Sequence, residues 1–394
     1  MGKKTIPCVA PIVAALILFL PPGGNWFFNI WHGIPLAIST IILVVISSLA
    51  LFVCRPTSAR WEASLVYIPI TVFTMWIVFA MPFSSHLVAS NLAEFAFFTS
   101  AGLLVTCFCS LPQFLACAVF GSGVQAAICM FQAVTRSSGM YTVDLFRVGG
   151  SFGYPTALSF SLAFALPLAF ALLVPRSTLI TKLSFLAISL AIVLTLCRGA
   201  ALGAVLALLW SLSRTWAGIS LGVRLLAMLA IVILISSQYF RIGTPARQLS
   251  TARSNESRVR QWGLAVDMLA KTSLQGVGPG KIRLHADIKM PDNSKVKMQT
   301  MDPKNQFLAN LLSFGILGGV LTILYGIGAI TILKSGPVPF VGLESAFIAV
   351  VAICLFDSPF YVSEHGLSCS LLGMMTGLLL KKSEGAHQYH EQNA

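Results

Sequence analysis

The residues of this chain with chemistry to offer are cations set among glycines and polar side chains, and they recur in order from Arg147 onward. The stretch Arg147-Val148-Gly149-Gly150-Ser151-Phe152-Gly153 places three glycines around one arginine. Such a backbone can turn sharply and aim amide groups at an anion, or it can serve as an ordinary interhelical turn. Arg198 stands between two short apolar runs in Leu196-Cys197-Arg198-Gly199-Ala200. There it faces a polar cavity or snorkels to headgroups, because facing lipid would cost a few kcal/mol. Arg258 and Arg260 flank Val259 ahead of Gln261 and Trp262, and Gly276-Val277-Gly278-Pro279-Gly280 follows. Asp302-Pro303-Lys304-Asn305 then opens a long apolar run that holds Gly315, Gly318 and Gly319. Arginines give bidentate contacts to phosphate oxygens, so the set suits a phosphate-like anion.

Other chemistries fit these residues poorly. No pair of carboxylates stands out in the same segments, which argues against glycosidase-type acid and base work. His285, Asp287, Asp292 and Asp302 lack a standard ligand spacing, so no metal and no cofactor are expected. The glycines from Gly276 to Gly280 precede Lys281 without the spacing of a nucleotide phosphate loop, and no strand is expected before them.

What must position these cations is a membrane protein. The chain has 394 residues, of which 56% are hydrophobic and only 10% charged, and its mean hydropathy is +0.84. Soluble domains carry about 25% charged residues. Apolar runs of membrane-spanning length recur, where a transmembrane barrel would show short alternating segments. Spans are expected at about 5 to 22, 34 to 54, 62 to 82, 91 to 110, 113 to 134, 155 to 174, 183 to 198, 199 to 213, 222 to 240, 305 to 333, 338 to 360 and 366 to 380. The expected fold is thus an all-α polytopic membrane protein of about twelve transmembrane helices, with one large outer loop containing an amphipathic helix.

Charge sets the orientation. With both termini inside, Lys3, Lys4, Arg55, Arg60, Arg176, Lys182, Arg214, Arg224, Lys334, Lys381 and Lys382 lie on the inner side, as the positive-inside rule favours. Twelve of the 26 Lys and Arg fall between Arg241 and Lys304, in a loop long enough to cross regardless of charge. Residues 1–134 then form a transmembrane scaffold and 135–240 the central helices with their outer-face arginines. Residues 241–304 are the large loop, and 305–394 are the last spans with a short inner tail.

Local patterns add detail. From Asn255 to Lys271, Val259, Trp262, Val266 and Leu269 repeat at helical spacing with Arg258, Gln261 and Lys271 off the stripe, as in a helix lying on the outer leaflet. Asp302 and Pro303 read as the cap and first position of the next helix, putting Lys304 and Asn305 in its first turn. Gly315, Gly318 and Gly319 would let another helix approach closely. The nine cysteines fall in or beside apolar spans, so no disulfide scaffold is expected, and Cys107 and Cys109 read as small apolar filler. Glu344 and Asp357 lie near the ends of one span, where end capping or a salt bridge is the expected role.

Together these residues resemble the bacterial O-antigen ligase and O-antigen polymerase superfamily, most of all its ligases, the lipid A core surface polymer ligases. The resemblance runs from about Arg147 to Gly319. It rests on an Arg-x-x-Gly-x-Phe-like segment at Arg147 to Phe152, a Ser-Arg-Gly-like helix end at Cys197 to Gly199 and Arg-x-x-x-Trp at Arg258 to Trp262. The glycine turn follows, and last a segment similar to His-Asn, nine residues, Gly-x-x-Gly. Lys304 stands where that pattern has histidine, and Cys197 and Thr156 replace the expected Ser and Asn.

The resemblance implies an inverting, metal-independent transfer of glycan from undecaprenyl diphosphate to a sugar hydroxyl. The acceptor is lipid A core oligosaccharide for a ligase and another glycan chain for a polymerase. It implies a bacterial inner-membrane location, cytoplasmic termini and a periplasmic active face. Donor, acceptor and membrane lipids are the expected partners, and no nucleic acid. Arg198, Arg258 and Lys304 are then the expected catalytic cations, with Arg147, Arg260, Gln261, Trp262 and Asn305 binding substrate. Lysine stays protonated near neutral pH unless driven far from its ordinary range, so Lys304 suits a diphosphate ligand better than a base. His285 or His365 could take the base role or be ordinary surface histidines. A transporter would set polar groups near the bilayer midplane of several helices, whereas here they gather at the outer ends.

Overall fold

The computed structural model describes residues 16–19, 36–56, 61–84, 86–137, 140–142, 145–174, 178–242, 245–272, 276–279, 282, 284–289, 295–300, 303–334, 341–358, 360 and 366–393. Within them the chain is mostly helical. The helices are α1 (Leu36–Val53), α2 (Trp61–Ala80), α3 (His86–Phe108), α4 (Leu111–Thr135), α5 (Pro155–Leu173) and α6 (Leu179–Thr195). They continue with α7 (Arg198–Thr215), α8 (Leu221–Ile242), α9 (Pro245–Lys271), α10 (Gln306–Lys334), α11 (Val341–Phe356) and α12 (Gly366–Asn393).

Trp61–Ala80, Leu111–Thr135, Pro155–Leu173, Arg198–Gly218 and Gln306–Lys334 are long and apolar enough to cross a membrane. Thr40–Val53, Leu92–Phe108, Leu179–Thr195, Leu221–Ser237 and Val341–Phe356 are apolar but shorter. Ile41, Val45 and Phe52 on α1, and Leu221, Leu225 and Val232 on α8, turn outward. An exposed apolar surface of that extent belongs in lipid, and the chain is an integral membrane protein. The expected span at 5 to 22 falls largely outside the described residues.

The centre of the bundle is α5, almost every residue of which is buried, against α4, α6, α7, α11 and α12. Around it, α3 and α12 pack closely where Gly102 meets the backbone of Ser370 and Gly373 that of Thr99.

The structure corrects the sequence reading in several places. The fold is not purely helical: β1 (Met140–Thr142) pairs antiparallel with β2 (Leu145–Arg147), and β3 (Leu284–Lys289) with β4 (Lys295–Thr300). In the second hairpin Leu284, Ala286 and Ile288 stand opposite Thr300, Met298 and Val296. Cys54 and Cys107 form a disulfide, which their apolar surroundings had concealed. The amphipathic helix is also longer than its repeat suggested and turned about its axis. Gln261 and Ala265 of α9 are buried, and Leu264, Met268 and Leu269 join Ile282, Leu284, Ala309 and Leu312 in a separate small core, while Val259 and Val266 face outward.

The helix expected at 305 to 333 is broken. Gly315 (φ 64°, ψ −155°) interrupts α10, which frees the carbonyls of Leu312 and Ser313 from their helical partners. The amides of Val277 and Gly278 donate to these carbonyls at 2.7 and 3.0 Å. Gly276, itself at φ 79°, lies so close that a Cβ there would overlap the Gly315 nitrogen. Gly318 meets the Asn310 carbonyl and Gly319 the Leu311 side chain, so these glycines admit the other half of their own helix rather than a second one. The glycine turn and the helix break are one device. Gly276→Ala should therefore destabilise the protein by about 1–3 kcal/mol. Gly263→Ala, in open space within α9, should be neutral or stabilising by up to about 1 kcal/mol. Thermal unfolding of the two purified variants checks the contrast, and equal shifts would contradict it.

Candidate functional site

The site is built around helix ends. At the first of these, Leu196 turns left-handed (φ 53°) and closes α6 at Thr195, so Arg198 opens α7 instead of ending the preceding helix. A cation in a first helical turn is opposed by the helix dipole and needs acceptors. Arg198 finds neutral ones on α9: Nη1 donates to Asn255 Oδ1 at 2.7 Å and Nη2 to Ser254 Oγ at 3.2 Å. Arg147 sits at the favourable end of α6, its Nε donating to the Thr195 carbonyl at 2.8 Å, while Val148 N donates to the Leu194 carbonyl.

Two buried glutamines of α4 hold the loop after Arg147. Gln132 Oε1 accepts from Gly150 N at 2.9 Å and its Nε2 donates to the Gly150 carbonyl at 3.1 Å. Gln125 Oε1 accepts from Ser151 N at 3.1 Å, and its Nε2 donates to Ser151 Oγ. The amides of Val148, Gly150 and Ser151 are thus engaged within the protein, and it is the Arg147 side chain rather than these amides that can serve an anion. Two residues of the expected scaffold segment, Gln125 and Gln132, carry the loop that presents it.

The second cluster joins α9, α10 and α11. Arg258 on α9 donates Nη1 to the Phe356 carbonyl at the end of α11, and its Nη2 lies 3.8 Å from Asp357 Oδ2. Lys304 Nζ lies 3.8 Å from the other oxygen, Oδ1, of the same carboxylate. Asp357 is only 5% exposed. Its backbone N donates to the Ile353 carbonyl, and Oδ1 accepts from Ser358 N at 3.0 Å, which fixes the carboxylate at the helix end. Asn305 Nδ2 donates to the Leu355 carbonyl at 3.0 Å, so α11 ends in carbonyls held by Asn305 and Arg258.

Asn305 also caps α10, its Oδ1 accepting from Leu308 N at 3.0 Å. The expected cap, Asp302, lies outside the described residues, and Lys304 precedes the helix in left-handed backbone (φ 51°) rather than lying in its first turn. Trp262 Nε1 donates to the Lys304 carbonyl at 3.4 Å. A cavity lined by Arg198, Asn255, Arg258, Val259, Trp262 and Phe356 opens between these elements.

Of the expected site residues, Arg147, Arg198, Arg258, Trp262, Lys304 and Asn305 therefore gather at one end of the bundle. Burial lowers the Arg147 guanidinium from its ordinary value, and the neighbouring Cys197 and Asp357 oppose that shift, which puts Arg147 within electrostatic reach of the same carboxylate. Arg260 does not join them: it points away along α9 and pairs with Glu256 at 2.9 Å with its side chain 41% exposed. Gln261 is buried beneath α9, where Nε2 reaches Ser257 Oγ at 3.5 Å, rather than lying off the apolar face. His285 lies in β3 opposite Gln299, and His365 lies outside the described residues. Among the described residues no three His, Cys, Asp or Glu side chains gather as a metal would need.

Comparison with known families adds one finding. Residues 183–323 match the family model described as O-antigen ligase. Over that stretch the chain is similar to that family. The match spans α6 to the second half of α10 and includes Arg198, Arg258, Trp262, Lys304 and Asn305, while Arg147 and Asp357 lie outside it. No curated protein matched the chain.

The two arginines of the Arg258-Val259-Arg260 run should respond differently in a protein built this way. Arg258→Ala leaves a buried carboxylate short of a partner. Because Arg258 is partly exposed, the loss should fall near or below the lower end of the roughly 3–5 kcal/mol found for fully buried pairs. Arg260→Ala, on an exposed pair, should change stability by less than about 1 kcal/mol. Denaturation of both variants in detergent measures the difference, and equal losses would contradict this geometry.

Proposed function

We propose that the chain is a polyprenyl-diphosphate-dependent glycosyltransferase, an O-antigen ligase of the bacterial inner membrane. On this reading it transfers glycan from undecaprenyl diphosphate to a sugar hydroxyl of lipid A core oligosaccharide in lipopolysaccharide biosynthesis. The observation that carries the reading is the convergence of Arg147, Arg198, Arg258 and Lys304 at one end of an apolar bundle, where a buried carboxylate, Asp357, pairs with the last two. The positive-inside pattern supports cytoplasmic termini and a periplasmic site.

The reaction needs what this arrangement supplies. The acceptor hydroxyl oxygen attacks the anomeric carbon and its proton passes to water, the bond from that carbon to the diphosphate oxygen breaks, and the electron pair leaves with the diphosphate. Direct displacement inverts the anomeric centre. Negative charge builds on the leaving group, and cations fixed in a site poor in water stabilise it more than mobile solvent can. Arg198, held by uncharged partners, has its charge to give, and Arg258 and Lys304 flank it across α9 and α10. Mutagenesis of such fixed donors elsewhere costs about a hundredfold to a thousandfold in rate.

One observation favours a second reading, an O-antigen polymerase that extends undecaprenyl-diphosphate-linked glycan: Lys304 stands where the ligase pattern carries histidine. The two are separated by incubating purified protein, without nucleotide and with chelator, with undecaprenyl-diphosphate glycan and lipid A core. Product on lipid A core, lost in Arg258→Ala and retained in Arg260→Ala, is the expected result. Longer chains from donor alone would make the protein a polymerase, and no transfer at all would overturn the enzyme reading.

A further inference from the structure

The cationic site already contains an anion of its own. Asp357 offers one carboxylate oxygen to Arg258 and the other to Lys304, each at 3.8 Å, and it is pinned there by Ser358 N and by the end of α11. Arg198, by contrast, is held only through neutral Asn255 and Ser254 in its hydrogen bonds. The two oxygens of a carboxylate are spaced much as two oxygens of a phosphate are, so Asp357 occupies the part of the site that a phosphate group would otherwise take.

We propose that Asp357 is a specificity-determining counter-anion, which an incoming ligand must displace from Arg258 and Lys304. This rests on the reading of the site as a diphosphate site. A monophosphate group, whether free or on a lipid head, reaches only the two cations that the fixed carboxylate already neutralises, so it gains little by displacing that carboxylate. A diphosphate brings more charge and reaches Arg198 as well, so it displaces Asp357 where a monophosphate does not. The device also answers a physical need. Four cations without an internal anion would repel one another and would collect any phosphate in the surrounding membrane. With Asp357 in place the empty site is partly neutralised and reserved for the more highly charged ligand.

The test uses the full-length protein in detergent, with inorganic phosphate and inorganic pyrophosphate as probes in calorimetric titration. Wild type should bind pyrophosphate in clear preference to phosphate. Asp357→Asn, which keeps the shape and removes the charge, should bind phosphate on the order of tenfold or more tightly than wild type, with the preference for pyrophosphate narrowed. Asp357→Glu should retain the wild-type preference, which loss of packing alone would not explain.

If Asp357→Asn does not fold, the comparison is made between Arg258→Gln and the Arg258→Gln, Asp357→Asn double variant, where the double should bind phosphate more tightly than the single. Phosphate binding unchanged or weakened on removing the carboxylate, with wild type still binding pyrophosphate, overturns the counter-anion role alone. Wild type that binds neither probe overturns the diphosphate reading beneath it.

Discussion

Cations gathered in a region of low dielectric repel one another, and a bundle that collects several of them at one end must contain the means to hold them. Here the means is a single carboxylate. Asp357 takes Arg258 from α9 and Lys304 from the lead into α10, and it is itself anchored to the last turn of α11. Three elements far apart in the chain are tied through one side chain. Removing one partner from such a contact costs more than the contact yields, because the other charge is left stranded. The end of α11 adds its own negative partial charge, with its last carbonyls turned to Arg258 and Asn305.

The backbone around this cluster is organised by the same logic of unsatisfied groups. Gly315 interrupts α10, and the carbonyls so freed are taken by amides of the glycine turn at Val277 and Gly278. That exchange seats the segment after α9 on the broken helix and leaves Asn305 to cap its start. On the other side, Gln125 and Gln132 spend their amide groups on the loop beyond Arg147, while Arg147 closes the end of α6.

Much of this was legible in the sequence because composition and periodicity are local signals. The helical membrane character and an amphipathic helix over Asn255 to Lys271 followed from residue types and their spacing, and the grouping of Arg147, Arg198, Arg258, Lys304 and Asn305, with Arg260 counted among them, from the resemblance those motifs carry. What escaped depended on partners distant in the chain. A lone Asp357 just past an apolar helix reads the same whether it caps that helix or bridges two cations brought from elsewhere. Gln125 and Gln132 sit in an apolar run and gain meaning only from the loop folded against them. Arg258 and Arg260 are indistinguishable by type, and one turns inward while the other pairs with Glu256 because helical rotation separates them. The buried face of α9 differs from the apolar stripe of Val259, Trp262, Val266 and Leu269: the small core beneath it keeps Leu269 but selects Ala265 and Met268, while Val259 and Val266 face outward. Gly315 and Gly318 resembled helix-contact glycines, and only the backbone angles show a break.

The central claim is that this cluster receives the diphosphate of a polyprenyl donor. The most direct measurement is an electron cryomicroscopy structure of the protein in lipid nanodiscs with undecaprenyl diphosphate. The account predicts phosphate density between Arg198 and Lys304, within hydrogen-bonding reach of Arg258, with the carboxylate of Asp357 no longer bridging the two cations. Phosphate density elsewhere on the protein, with the contacts of Arg258 and Lys304 to Asp357 intact, would contradict it.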